Sequence, residues 1–176
     1  VSGVELEKAL QLSFQERKLN VFSNLKEAQE QGEKYDIITA FHVVEHLQNP
    51  KEILKNLSSL LTKNGEIIIE VPNSNDALLT LYENEPFQNF TYWSQHLFLF
   101  NKKTMIELVK QTGLTLNWIK HIQRYPLSNH LYWLSKGNLG GQEEWGFLDN
   151  DKLTVEYEKQ LALIGKTDTL IASLSL

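Results

Sequence analysis

Two apolar runs with a capped helix between them constrain this chain more than any other feature. Residues 35–44, YDIITAFHVV, are dense in β-branched and aromatic side chains, the types that suit a pleated, half-buried surface. Residues 66–73, EIIIEVPN, are apolar enough to be buried on both faces, as parallel strands are. Between the two, Asn49-Pro50 supplies an N-cap and a proline at the first helical position. Apolar residues at 53, 54, 57, 60 and 61 then form one stripe at helical period, and Asn64-Gly65 reads as its end. Strand, helix and strand in this order form a βαβ unit, which argues for a mostly parallel sheet covered by helices.

The rest of the chain continues the alternation. VSGVEL (1–6) is a short apolar run ending in acid, followed by a helical pattern through Lys18. LNVFS (19–23) reads as a second strand, and residues 25–31 as a brief helix closed by Gly32. After Asn73 the rhythm breaks. Residues 74–100 hold Tyr82, Pro86, Phe87, Phe90, Tyr92, Trp93 and His96 with no clean period. A capped helix is expected from Asn101 to Gly113, a strand over 114–122, an irregular aromatic stretch over 123–150, a helix over roughly 151–164 and a last strand over 169–176. One domain over 1–176 accounts for all of this, with 74–100 and 123–150 as insertions on the substrate side.

Composition removes several classes of function. There is no cysteine, so disulfides, zinc fingers, thiol nucleophiles and iron–sulfur ligation are excluded. The net charge of −5 and the lack of a Lys/Arg stripe argue against a nucleic-acid partner. No apolar run approaches the length of a membrane span, and the first ten residues lack the pattern of a secretory signal, so a cytoplasmic setting without membrane contact is the expectation.

The densest titratable cluster is His42-x-x-Glu45-His46, which has the letters of an inverted zinc-protease motif. Zinc hydrolysis needs three protein ligands and an open position for water. His42 falls at the end of a β-type run, the next helix starts only at Pro50, and that helix offers no evident third ligand. The expectation is therefore that no metal site is present. The plainer reading has Val43, Val44 and Leu47 packing while the histidines line a turn. Position favours chemistry, because open α/β sheets bind ligands beyond the carboxyl ends of their strands. That rule puts Glu5, the Ser23–Asn24 turn, residues 40–46 and residues 71–75 on one rim.

The block YDIITAFHVVEHLQNPKEILKNLSSLLTKNGEIIIEVPN resembles the fourth strand, following helix and fifth strand of class I S-adenosylmethionine-dependent methyltransferases, in particular their type 11 and type 23 branches. VSGVEL is similar to that fold's second strand, HLFLFNKKTMIELVKQTGL to the segment leading into a later helix, and GKTDTLIASLSL to its last strand. The resemblance implies a Rossmann-like three-layer α/β sandwich whose mostly parallel sheet has an antiparallel last strand. It also implies S-adenosyl-L-methionine as cofactor and S-adenosyl-L-homocysteine as product. The family's first strand and glycine-rich loop have no counterpart here, since the cluster Gly137-Asn-Leu-Gly140-Gly141 follows no strand and opens no helix. An N-terminally truncated domain is expected on that ground. Its second and fourth strands would then expose unpaired edges, which raises the prospect of a homo-oligomer.

Carried over residue by residue, the resemblance places Glu5 on the ribose, where a carboxylate accepts both hydroxyl hydrogens of a diol. Asn24 falls near the adenine amino group with Leu25 beside it, and Ala40, Phe41 and His42 fall along the ribose and methionine face. A base of near-neutral pKa suits methyl transfer to oxygen or carbon, and His46, His96 and His42 are the candidates. Tyr92 and Trp93, with His130, Tyr132 and Trp133, are candidates for the substrate side. The expected acceptor is a small molecule, such as a sugar or a surface-polysaccharide intermediate. The competing expectation is a cofactor-free module, disabled by the missing glycine-rich loop, that binds partners or oligomerises.

Overall fold

The computed structural model describes residues 1–176. β1 (Ser2–Val4) and β2 (Asn20–Phe22) pair in parallel, joined by α1 (Lys8–Glu16), in the register Ser2↔Asn20 to Val4↔Phe22. α2 (Leu25–Glu30) opens at Asn24, whose side-chain oxygen accepts the Glu27 N–H at 3.0 Å. β3 (Tyr35–Phe41) is followed by a 3-10 turn over Val44–His46 and then by α3 (Pro50–Ser58). β4 (Leu61–Pro72) lies parallel to β3.

α3 ends six residues before Asn64, and β4 starts five before Glu66, so the expected boundary moves toward the N-terminus. The reason is tertiary. Leu60 is buried with Phe22 and Ala28, Leu61 joins the main core, and the Leu60 carbonyl accepts the Tyr35 N–H at 2.8 Å. The extra residues form a bulge, because Tyr35 pairs with Leu61 while Ile37 pairs with Glu66. Gly65 sits in that bulge, where a Cβ would stand 2.7 Å from the Tyr35 carbonyl oxygen. Gly65 thus marks a close backbone approach rather than the end of a helix.

Beyond β4 lie α4 (Ala77–Thr80), α5 (Glu85–Thr91) and α6 (Lys102–Lys110), the last opened by a reciprocal Asn101–Thr104 capping box. β5 (Thr115–Ile122) comes next. The stretch expected to be irregular then contains α7 (Leu127–Lys136) and α8 (Gly141–Glu144), with a short 3-10 turn after them. α7 lacks an apolar stripe because three of its four buried residues are polar: Ser128, Asn129 and His130, beside Trp133. α9 (Asp151–Leu163) leads into β6 (Thr169–Ser175).

The main sheet has the order β3-β4-β6-β5, and β6 runs antiparallel to both neighbours. One face of β4 is fully buried through Ile67, Ile69 and Val71, packed with Leu54, Met105, Val109, Leu170 and Leu174. The other face, with Ile68 and Glu70, is half-buried, so the expected burial on both faces holds for one only. β1 and β2 form a separate two-stranded sheet. The facing edges of β1 and β3 have no strand partner, and both line a mostly apolar groove of about 700 Å³. No helix is long and apolar enough to cross a membrane.

Candidate functional site

β3 ends in a left-handed residue. His42 has φ of 53°, a conformation uncommon outside glycine, while its N–H still donates to the Glu70 carbonyl at 2.9 Å. The turn that follows carries Val44 and Glu45 inward, and both are fully buried. The Glu45 carboxylate has His42 Nδ1 at 3.3 Å and His46 Nε2 at 3.8 Å from one oxygen, yet neither approach has hydrogen-bond geometry. Both carboxylate oxygens are therefore without a protein donor. On its other side, His42 Nε2 lies 3.1 Å from Glu70 Oε1 and in contact with the Arg124 guanidinium, which is itself 3.3 Å from Glu70.

His96 comes to the same place from a different loop. The Phe98 N–H donates to the Glu45 carbonyl at 3.1 Å, tying that loop to the turn. His46 Nδ1 meets the Gln95 carbonyl at 2.8 Å, and His96 Nδ1 meets the Thr91 carbonyl at 2.8 Å. A carbonyl accepts only, so each imidazole carries a proton on Nδ1, and in the neutral tautomer its Nε2 is the basic nitrogen. The two rings stand 5.0 Å apart, and Trp93 packs edge-on against His96. Glu45, His46 and His96 each offer one ligand atom, and these atoms all lie within 4.8 Å of one another. The structure thus brings His46 and His96, two of the candidate bases, together with Glu45.

A cavity of about 240 Å³ lies beyond the carboxyl ends of β3 and β4. His42, His96, Arg124 and His130 are in its wall, and Phe87, Phe90 and Trp133 form an aromatic side. Gln142 also lines it, with a buried side-chain oxygen that has no donor in the protein. Underneath lies a buried polar network. Asp168 accepts the N–H groups of Arg124 and Tyr125 at 3.0 Å and the Gln123 amide at 2.9 Å. Burial pushes the Asp168 carboxyl above its usual range, against the pull of those donors. Burial also pushes Asp76 up to about 7, opposed by the Leu78 N–H it accepts and reinforced by the Asp168 charge. His130 is pulled down to about 4 by burial and is neutral. The Gln123 amide stands 3.2 Å from its Nε2 and the Tyr157 hydroxyl 2.6 Å from its Nδ1, so both ring nitrogens are engaged.

The remaining candidates are dispersed. The Glu5 N–H donates to Phe22 at 3.0 Å, which sets its carboxylate at the end of β1. One carboxylate oxygen accepts the Glu7 N–H at 2.8 Å, and the other is free of protein partners. Asn24, Leu25 and Ala40 line the groove between β1 and β3, whereas Phe41 is half exposed and His42 faces the cavity instead. The Asn24 side-chain oxygen is already engaged by the α2 cap. Leu25 and Ala40 give this groove apolar walls suited to a ring, while Glu5, at the end of β1, stands outside its lining. Tyr92 and Trp93 are exposed outside the cavity, and Tyr132 packs against Trp145 instead of lining it. Sequence reasoning missed Arg124, Gln142 and the Asp76–Asp168 floor. A lone Arg and Gln in an aromatic stretch carry no periodic signal, and only the acceptor-rich strand ends hinted at a pocket there.

An α/β sheet with ligand-facing groups at the carboxyl ends of β1, β3 and β4 is the frame of the S-adenosylmethionine-dependent methyltransferases. Archaeoglobus fulgidus has a SAM-dependent methyltransferase of this fold: 20% identity, TM-score 0.60, covering 99% of this chain and 75% of that one. A plantazolicin methyltransferase, solved with S-adenosylhomocysteine and a substrate analogue, matches with 17% identity and TM-score 0.56 over 98% of this chain and 66% of its own. Residues 2–117 match the family profile described as a methyltransferase domain, and the chain belongs to that family. It is 27% identical over 112 residues to a ubiquinone biosynthesis O-methyltransferase of Acinetobacter baylyi, and equally so to one of Leptothrix cholodnii. Those matches take in 61% of this chain and 47% of each relative, so the chain aligns with about half the length of the curated relatives it matches.

Proposed function

We propose that this chain supplies the acceptor side and part of the nucleoside side of an S-adenosylmethionine-dependent methyltransferase acting on a small molecule. The observation that carries this reading is the cavity of about 240 Å³ at the strand ends, with His42 and His96 in its wall. Its size suits a single ring. Phe87, Phe90 and Trp133 would hold an apolar face of the acceptor, and the Gln142 oxygen would take a hydrogen bond from a hydroxyl or N–H on it. When bound, S-adenosylmethionine supplies a methyl group on a sulfonium. Glu5 would hold the ribose hydroxyls, Leu25 would flank the adenine, Ala40 would line the ribose side, and the Glu45–His46–His96 cluster would draw the proton off the acceptor. Transfer to oxygen is favoured by the curated relatives, which are O-methyltransferases. A sugar or polysaccharide intermediate suits the mix of aromatic wall and polar tips.

Calorimetric titration with S-adenosylhomocysteine tests the reading. Saturable binding at one site per chain is expected, weakened about tenfold or more in Glu5→Ala through loss of a charge-assisted hydrogen bond. No saturable heat at millimolar ligand overturns it. One observation favours a second reading, a cofactor-free module that self-associates: the apolar groove flanked by two unpaired strand edges. That reading requires a concentration-dependent mass in sedimentation together with no response to S-adenosylhomocysteine.

A further inference from the structure

On the reading of the cavity as an acceptor site, we infer that Asn129, Gln142 and Asp76 are its specificity-determining residues, and that the acceptor they select is a pyranose ring rather than a phenol. All three leave hydrogen-bonding capacity unused by the protein. Asn129 is 5% exposed and lines the cavity, yet its side-chain amide makes no hydrogen bond within the chain. Buried polar groups are nearly always paired, so this one calls for a partner from outside the chain. The Gln142 side-chain oxygen is buried without a donor. Asp76 is 2% exposed, gives one carboxyl oxygen to the Leu78 N–H at 2.6 Å and receives no second hydrogen bond there. With its carboxyl raised to about 7 by burial, Asp76 can donate or accept near neutrality.

The fold sets these groups beside an aromatic face. Asn129 and Trp133 are four residues apart on α7 and so share one side of the helix. Phe87 packs edge-on against Trp133 with ring centres 5.0 Å apart, and Phe90 lies 5.5 Å from the same ring. α8 is seated on α7 at Asn129: a Cβ at Gly141 would stand 2.6 Å from the Asn129 Cα, so no side chain separates the two helices there. Gln142 is the next residue, and the cavity wall holds it together with Asn129 and Asp76. The number of open positions decides against a phenol. Asn129 offers two donor hydrogens and an acceptor, Gln142 an acceptor, and Asp76 one position more. A phenol brings one hydroxyl and a catechol two. A pyranose carries hydroxyls around its rim, each able to donate and to accept, while its C–H face suits the aromatic side of the cavity.

The test titrates the full chain with the methyl pyranosides of glucose, galactose and mannose, followed by ligand-observed NMR, with phenol and catechol alongside. At least one pyranoside should saturate in the millimolar range, with phenol and catechol at least tenfold weaker. Asn129→Ala and Gln142→Ala should each weaken that pyranoside about tenfold, the loss of one hydrogen bond. Monodeoxy forms of the same pyranoside supply a readout that a merely structural role would not move. The form lacking the hydroxyl that Asn129 reads should lose about tenfold against the unmodified chain and nothing further against Asn129→Ala. Thermal midpoints of the variants check that they fold. Phenol or catechol binding as tightly as every pyranoside, or deoxy forms that lose equally against the unmodified chain and both variants, overturns the subsite. Titration of S-adenosylhomocysteine into the same chain separates the two proposals. A pyranoside without nucleoside overturns the methyltransferase reading alone, and nucleoside without any pyranoside overturns the subsite alone.

Discussion

The replacement Asp76→Asn should make the protein more stable at alkaline pH and leave it unchanged in acid. Asp76 is 2% exposed, and burial raises its carboxyl from 3.8 to about 7. A folded-state value above the unfolded one means that the folded protein retains a proton the unfolded chain has already released. The stabilisation from that proton is complete below about 4 and is lost as pH climbs through about 7. A rise of about three units corresponds to about 4 kcal/mol of stability lost between those limits. Asparagine keeps the one structural duty visible at this position, since its amide oxygen can accept the Leu78 N–H that Asp76 accepts at 2.6 Å and cap α4. Urea denaturation followed by tryptophan fluorescence at pH 4 and pH 8 reads the effect, and carboxylates not coupled to Asp76, as Asp168 is, cancel because both proteins share them. At pH 8 the variant should gain roughly 2–4 kcal/mol, the upper figure being the full linkage value. At pH 4 the two should agree within about 0.5 kcal/mol. A difference that does not change with pH, or a variant that is less stable at pH 8, refutes the reasoning.

Gly65→Ala should destabilise by about 1–3 kcal/mol, because the new methyl would press on the Tyr35 carbonyl and force β3 and β4 apart at their bulge. The urea midpoint should fall while the slope of the transition stays the same. Ile69→Ala removes a fully buried side chain from the centre of β4 and should cost about 2–5 kcal/mol by the same measurement, with Ile69→Val costing only about 0.5–1.5.

Where local chemistry and tertiary demand agree, the sequence is readable. Pro50 after Asn49 opens α3, and Asn101 with Thr104 opens α6, because caps act within one turn of chain. The antiparallel last strand was legible only through resemblance, since nothing in TLIASLS states a direction. Misreadings fall where a distant partner decides. Leu61 looks like the end of a helical stripe, but the Tyr35 N–H takes the neighbouring carbonyl and pulls the chain into β4. α7 hides because its inward face satisfies a polar network through Ser128, Asn129 and His130, and so shows no hydrophobic period. The same limit applies to the site. His42, Glu45 and His46 announce themselves by proximity in sequence, whereas His96, Arg124 and Gln142 reach the cavity through three separate loops and helices.

The turn after β3 carries two costs that a purely structural turn would have avoided. His42 is held left-handed, which for a residue with a Cβ costs on the order of 1–3 kcal/mol. Glu45 is then buried with neither oxygen paired, although the protons that would pair them are present on His46 and His96. Instead both rings turn their Nδ1 protons to carbonyls, those of Gln95 and Thr91. Costs of this kind gather where local rules give way to function. Under the proposed methyltransferase reading, the electrophile such an arrangement favours is the proton of an acceptor.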